Sequence, residues 1–191
     1  MPIEHEYKYV CSLRMLETWP EDKLHCLCGS YLIEQGSLMY DGPQQVRLRK
    51  STLGDRISWL LSYKHRTGGR TVEINHPLEP TDGDLLWPAC TLKLSKRRFT
   101  LPDDAGVWEI DYFQQDGRVY FIMAEIELRD GALPPSRLPD VLQQHLIYQV
   151  RQGDVRFFNT FLGDVDYATS LYKAIHQENA FQPERQECSD V

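Results

Sequence analysis

Polar and apolar positions alternate in short runs along most of this chain, and each run ends in turn-forming residues. Runs 3–10, 26–34, 45–50, 58–65, 70–76, 91–99, 107–113 and 119–129 are rich in β-branched, aromatic or alternating residues. That period of two predicts β-strands. Between them stand "DGP" (41–43), "TGG" (67–69), "TDGD" (81–84), "DDAG" (103–106) and "QDG" (115–117), whose residue types favour chain reversal. Eight short strands in succession predict a mainly β fold, an antiparallel barrel or sandwich. Helical spacing appears where strands are absent. "LPDVLQQHLIYQV" (138–150) sets Leu142, Leu146 and Val150 on one face, "DVDYATSLYKAIHQE" (164–178) is amphipathic, and "WPEDKLHC" offers Pro20 for a first helical turn. The polar stretch from Glu178 has no periodic apolar face. No repeat or linker interrupts the chain, so residues 1–177 read as one domain and 178–191 as a loose tail.

Charge is sorted by face. In the opening "IEHEYKYV", Glu4, Glu6 and Lys8 point one way and Ile3, His5, Tyr7 and Tyr9 the other. Arg47 and Arg49 share a face in "VRLRK", as do Lys96 and Arg98 in "LSKRRF", Glu109 and Asp111 in "WEIDYF", and Glu125 and Glu127 in "MAEIELR". Two readings fit this pattern. The charged faces look at solvent, as in an ordinary antiparallel sheet, or they line the lumen of a wide barrel with apolar residues packing outward. In the lumen reading, converging carboxylates need a cation, and all-oxygen ligands favour Mg²⁺ or Mn²⁺. Clustered Arg and Lys need an anion, and guanidinium forks suit phosphate oxygens. Such a site takes a metal–polyphosphate complex, with Glu4 and Glu6 on the metal and Lys8 on the phosphates.

Composition narrows the choice. With 191 residues and 41% hydrophobic content, the chain can bury one substantial core. No apolar run approaches the roughly 20 residues of a membrane helix, and "MPIEHEYK" lacks the order of a secretory signal. The expectation is a cytoplasmic protein with no membrane partner. The five cysteines have no zinc-like spacing; Cys26 and Cys28 alternate within a strand-like run, so reduced structural thiols are expected. Acidic residues number 28 against 21 basic, a net charge of −7. That balance argues against non-specific nucleic-acid binding, which rests on a broad basic surface. No pair of the six histidines sits at metal-ligand spacing.

The residues also resemble a family, in order along the chain. Glu4-His-Glu6-Tyr-Lys8 has the Glu-x-Glu-x-Lys signature of the CYTH, or triphosphate tunnel metalloenzyme, superfamily. After it come "GSYL" (29–32), similar to a Gln-Gly-Tyr-Leu motif, "VRLR" with Arg47 and Arg49, Lys64 in "SYKHR", and Glu73 in "RTVEI". "KRRF" with Lys96 and Arg98, "WEIDYF" with Glu109 and Asp111, "AEIEL" with Glu125 and Glu127, and "DVRFFNTFL" (154–162) complete the set. Departures from the pattern fall at Gly29 and Ser30, at Thr71, where a second acid stands in the family, and at Gln149-Val150-Arg151.

The resemblance implies an eight-stranded antiparallel closed barrel forming a tunnel, with a few flanking helices. It implies a divalent-metal-dependent triphosphatase acting on inorganic tripolyphosphate or a related small-molecule triphosphate, and a homodimer is compatible with it. By that resemblance Glu4, Glu6 and Glu127 hold Mg²⁺ or Mn²⁺, and Lys8, Arg47, Arg49, Lys64, Lys96 and Arg98 bind the phosphates. Glu109, Asp111 and Glu125 bind a second metal or orient water. The alternatives are a class IV adenylate cyclase, a thiamine triphosphatase, and a non-catalytic polyphosphate- or nucleotide-binding module. Lys50, Lys93 and Arg97 fall on the opposite strand faces and are expected to face solvent.

Overall fold

The computed structural model describes residues 5–27, 29–67, 70–128 and 133–180. The strands are β1 (His5–Cys11), β2 (Gly29–Asp41), β3 (Gln44–Leu53), β4 (Arg56–Thr67), β5 (Arg70–Leu78), β6 (Thr91–Asp103), β7 (Gly106–Gln115), β8 (Arg118–Leu128) and β9 (Leu146–Gln149). The helices are α1 (Met15–Thr18), α2 (Glu21–Leu27), α3 (Pro80–Leu86), α4 (Asp140–Gln143), α5 (Asn159–Leu162) and α6 (Val165–Ala180). All described strands join one antiparallel sheet in the order β5-β4-β3-β2-β6-β7-β8-β1-β9. The fold is mainly β with a few helices, and none of the described helices is long and apolar enough to cross a membrane.

Among the described residues each of the eight strand-like runs overlaps a strand, with shifted ends. The first difference is at 138–150, where a helix was expected. Only Asp140–Gln143 is helical, and Leu146–Gln149 is a ninth strand. Ile147 and Tyr148 favour extended backbone, and the free edge of β1 offers pairing, with Tyr9 opposite Gln149 and Val10 opposite Tyr148. Pairing to a waiting edge outweighs helical spacing. The second difference is "TDGD", expected as a turn but lying within α3. Pro80 stands at the start of that helix, and Gly83 lets the backbone rest on a ring: a Cβ there would lie 2.2 Å from Trp59. The third is that β2 starts at Gly29, so Cys26 belongs to α2 and not to a strand. Cys28, Glu4 and the tail beyond residue 180 lie outside the described residues.

The expected closed eight-stranded barrel differs in count and closure. Among the described residues β5 and β9 are the two edges and are not paired to each other. The sheet is nonetheless strongly curled. Phe158 packs under the Arg66 guanidinium of β4, and Gln45 of β3 donates to Thr160 at 3.3 Å. Gly163 lies against Leu94 of β6, and Tyr120 of β8 donates to the Leu162 carbonyl at 2.9 Å. Strands β4 and β8 are five strand spacings apart, about 24 Å on a flat sheet. Residues 158–163 as a helical segment span only about 9 Å, so the sheet must wrap around them.

Curling gives the sheet an inner and an outer face. Outside, Tyr9, Cys11, Phe99, Trp108, Ile110, Tyr112, Ile122, Ala124 and Ile126 pack under Met15, Leu24, Leu138, Val141 and Leu142. Leu48, Trp59 and Cys90 form a smaller outer cluster with Leu78 and Trp87. The inner face is divided along its length. At one end Val10, Leu94, Phe113, Phe121 and Met123 are buried against Phe157, Leu162, Ala168, Leu171 and Ile175. The other end carries the charges.

Candidate functional site

The strand registers bring the charged positions side by side. Glu6 stands opposite Glu127, Lys8 opposite Glu125, Glu109 opposite Glu125, and Arg98 opposite Asp111. Like charges directly opposite on paired strands destabilise a sheet unless a cation lies among them. Here Lys8 donates to Glu125 at 2.7 Å and lies 3.0 Å from Glu6. Arg98 donates to both oxygens of Asp111 at 2.7 Å, contacts Glu109, and reaches Glu125 at 3.4 Å. Lys96 pairs with Asp111, and both side chains are 0% exposed. Glu6 and Glu109, 48% and 40% exposed, open toward solvent.

The second group lies on β3, β4 and β5. Lys64 and Glu73 are directly opposite and 2.6 Å apart, and Arg47 reaches Glu73 at 3.5 Å. Arg49 has no carboxylate within ion-pair distance among the described residues. The Nε atoms of Arg47 and Arg49 are buried without hydrogen-bond partners. Beside them on β2, Gln35 faces Arg49 in register and is 4% exposed, with its Oε1 also unpartnered. Ser37 and Gln45 continue this layer, joined by a 3.0 Å hydrogen bond. Gln35, Ser37 and Gln45 carry no charge, and the sorting of charged faces therefore passed over them. The spacing that puts Gln35 opposite Arg49 becomes visible only once the β2–β3 hairpin register is known.

Electrostatics separate the two groups. Burial alone would raise Glu125, but Lys8, Lys96 and Arg98 hold it well below the usual carboxylate range. Burial would likewise raise Asp111, and Lys96 and Arg98 hold it down. Burial, then the neighbouring Arg98, pulls Lys96 down to about 8. Burial and the adjacent Arg49 push Arg47 down to about 10, and burial and Arg98 lower Arg49. Arg47 also feels Glu125 from across the curled sheet. Against the cost of its burial, Arg98 is held charged by Asp111, Glu125 and Glu109, whereas Arg47 and Arg49, repelled by neighbouring guanidiniums in a largely buried setting, would lower their energy by taking an anion.

Lys50, Lys93 and Arg97 are on the outer face, and they are engaged there. Arg97 pairs with Glu21 of α2 at 2.7 Å, Lys50 with Glu34 at 3.5 Å, and Lys93 lies 4.9 Å from the Trp87 ring centre. Glu127 is exposed at the open end. Among the described residues no three His, Cys, Asp or Glu side chains converge closely enough to hold a metal ion by themselves.

No family model matches the chain, and no curated protein matches it. Solved structures do show similarity in fold. The PH1819 protein from Pyrococcus horikoshii has a TM-score of 0.45 at 16% identity, over 96% of this chain and 94% of that one. The bh2851 protein from Bacillus halodurans, described as a candidate adenylate cyclase, has a TM-score of 0.49 at 14% identity, over 97% and 95%. The PH1012 protein from Pyrococcus horikoshii has a TM-score of 0.47 at 15% identity, over 69% and 80%. Likeness at this level says nothing of chemistry.

Proposed function

We propose that this chain is a divalent-metal-dependent triphosphatase that hydrolyses inorganic tripolyphosphate, or a related triphosphate, to phosphate and pyrophosphate. The observation that carries the reading is Arg49, a largely buried guanidinium beside Arg47 with buried Nε donors unspent on both. Buried donors without partners are destabilising until a ligand supplies acceptors, and a phosphate chain offers them in the geometry a guanidinium fork prefers. The ordered resemblance of the charged motifs to the triphosphate tunnel family supports the same reading. In it the curled sheet corresponds to that family's tunnel, and residues 1–177 form its domain in a cytoplasmic protein.

Arg47 and Arg49 grip the phosphates, Lys64 and Lys8 add charge from flanking strands, and Arg98 sits at the reacting end. Among the described residues the inner face carries the cations Lys8, Arg47, Arg49, Lys64, Lys96 and Arg98, with Arg66 beside Phe158, and the carboxylates Glu6, Glu73, Glu109, Asp111, Glu125 and Glu127. With most of those cations already paired to carboxylates, a polyanion entering the hollow is best matched when it brings a counter-cation of its own. Mg²⁺ commonly uses one or two carboxylates plus substrate phosphates in place of an all-protein cage. The residues fit that case: Glu6, facing Glu127 across the register, presents hard oxygen donors at the open end, and the family resemblance adds Glu4, which lies outside the described residues. When bound, Mg²⁺ or Mn²⁺ supplies charge neutralisation and polarises water. Positioning and charge stabilisation account for most of phosphoryl-transfer catalysis. Glu109, opening to solvent, orients the attacking water, and Glu125 holds Lys8 and Arg98 in place.

A substrate panel tests the proposal. Phosphate release from tripolyphosphate with Mg²⁺ or Mn²⁺ is expected, and no release at any metal concentration would remove it. Cyclic AMP from ATP would move the chain to the cyclases. Faster release from thiamine triphosphate would reassign the substrate, and tight binding without turnover would leave a binding module.

A further inference from the structure

We infer that Asp111 and Lys96 form a positioning pair that fixes the Arg98 guanidinium, and that neither residue touches metal or substrate. The inference rests on the triphosphatase reading for what Arg98 grips, and on geometry for the rest. Asp111 Oδ1 accepts from Arg98 Nε, while Oδ2 accepts from Arg98 Nη2 and from Lys96 Nζ. Oδ2 has both of its lone-pair sites filled. With side chains 0% exposed, neither residue can be reached even by a water-sized molecule, so a bulkier phosphate oxygen or hydrated ion cannot reach them either. Lys96 Nζ lies 5.2 Å from the Phe113 ring centre, at the border where the charged half of the inner face meets the apolar half.

The need for two cations follows from how Arg98 is shared. Its single charge serves Asp111, Glu109 and Glu125 together. Without Lys96, the buried Asp111 carboxylate would draw on a guanidinium already divided among three acids. With it, Asp111 stays ionised and clamps two nitrogens of the planar Arg98 fork, which fixes the direction of the rest. Asp111 and Lys96 thus act on the phosphates through Arg98.

The test compares Asp111→Asn, Lys96→Met and the double variant with the unmodified protein. Urea unfolding, Mn²⁺ affinity by electron paramagnetic resonance, metal-free tripolyphosphate affinity by calorimetry, and KM and kcat are measured. Asp111→Asn should weaken tripolyphosphate binding and raise KM about tenfold with kcat within about threefold, because Arg98 then binds ground and transition states equally less well. Mn²⁺ affinity should stay within about twofold, whereas losing a metal ligand would lower it tenfold or more by the standard of supporting residues. Lys96→Met should raise KM about threefold, and the double variant should unfold less readily than Asp111→Asn alone, since coupled partners are non-additive.

A tenfold or greater loss of Mn²⁺ affinity in Asp111→Asn would make Asp111 a ligand and overturn the inference. So would additive unfolding effects, or a Lys96→Met loss of tripolyphosphate affinity equal to that of Arg49→Ala at unchanged unfolding midpoint. Should Asp111→Asn fail to fold, Lys96→Met alone decides through that last comparison. If the unmodified protein binds no tripolyphosphate, the function proposal fails, and the unfolding cycle still decides the pair.

Discussion

The two walls of the inner face hold charge in opposite ways. On β1, β6, β7 and β8 the carboxylates Glu6, Glu109, Asp111 and Glu125 are knotted to Lys8, Lys96 and Arg98 by short contacts. On β3, β4 and β5 Lys64 and Arg47 share Glu73, the Arg47 contact being 3.5 Å, and Arg49 has no carboxylate within ion-pair distance among the described residues. The first wall is satisfied before any ligand arrives; the second has donors left over. Satisfied pairs hold geometry, and unsatisfied donors hold ligands, so one wall sets the shape that the other exploits.

The largest effect that would sharpen this contrast is loss of turnover without loss of fold. Glu6→Gln, at the exposed end of the first wall, should lower kcat about a thousandfold, or about 4 kcal/mol, in the tripolyphosphate assay. Its thermal midpoint should barely move, and full activity would remove Glu6 from the proposed metal site. Next comes Glu125→Gln, which leaves Lys8 and part of Arg98 without a buried counter-charge. Urea titration should show a loss of about 3 kcal/mol, and a change under 1 kcal/mol would contradict the claim that this wall is held by its ion pairs.

Arg49→Ala should act on the second wall alone. Removing one fork of charge-assisted hydrogen bonds should raise KM about thirtyfold, or about 2 kcal/mol, with little change in unfolding midpoint. Acid should separate the walls as well. Glu125 and Asp111 have native pKa values below their unfolded ones, so the stability they contribute is fully present above pH about 4.5. It is lost as pH falls from there through the depressed native values, at up to about 1.4 kcal/mol per pH unit for each carboxylate. Calorimetric scans between pH 3 and 7, set beside those of Glu125→Gln, should show a shallower decline in the variant. The smallest effect is Gln35→Leu, for which KM should rise about fivefold, near 1 kcal/mol, through loss of one neutral hydrogen-bonding group.

Much of this organisation could be read from the chain, and the failures have physical causes. Period-two alternation located the eight strand runs because most of these strands set apolar residues on one face and polar or charged residues on the other, and the charged members were found by the same count. The stretch 138–150 misled because Leu142, Leu146 and Val150 satisfy a helical spacing locally, while the partner that makes Leu146–Gln149 a strand, β1, lies more than a hundred residues earlier. Gly83 was mistaken for a turn residue because nothing local reveals that Trp59 lies against it. Asp111 and Glu125 carry the same charge and the same alternation as Glu109. The neighbours that bury Asp111 and clamp it are set by strand pairing across β6 and β7. Sequence sorted residues by face; depth within that face came from long-range register.

The segment from Phe157 to Leu162, with α6 behind it, stops one end of the wrapped sheet. That end offers no passage, so whatever the hollow admits leaves by the charged end or along the β5 and β9 edges. On the proposed triphosphatase reading, the phosphate left deeper against the apolar plug has the longer way out, and its departure would then pace turnover alongside bond breaking.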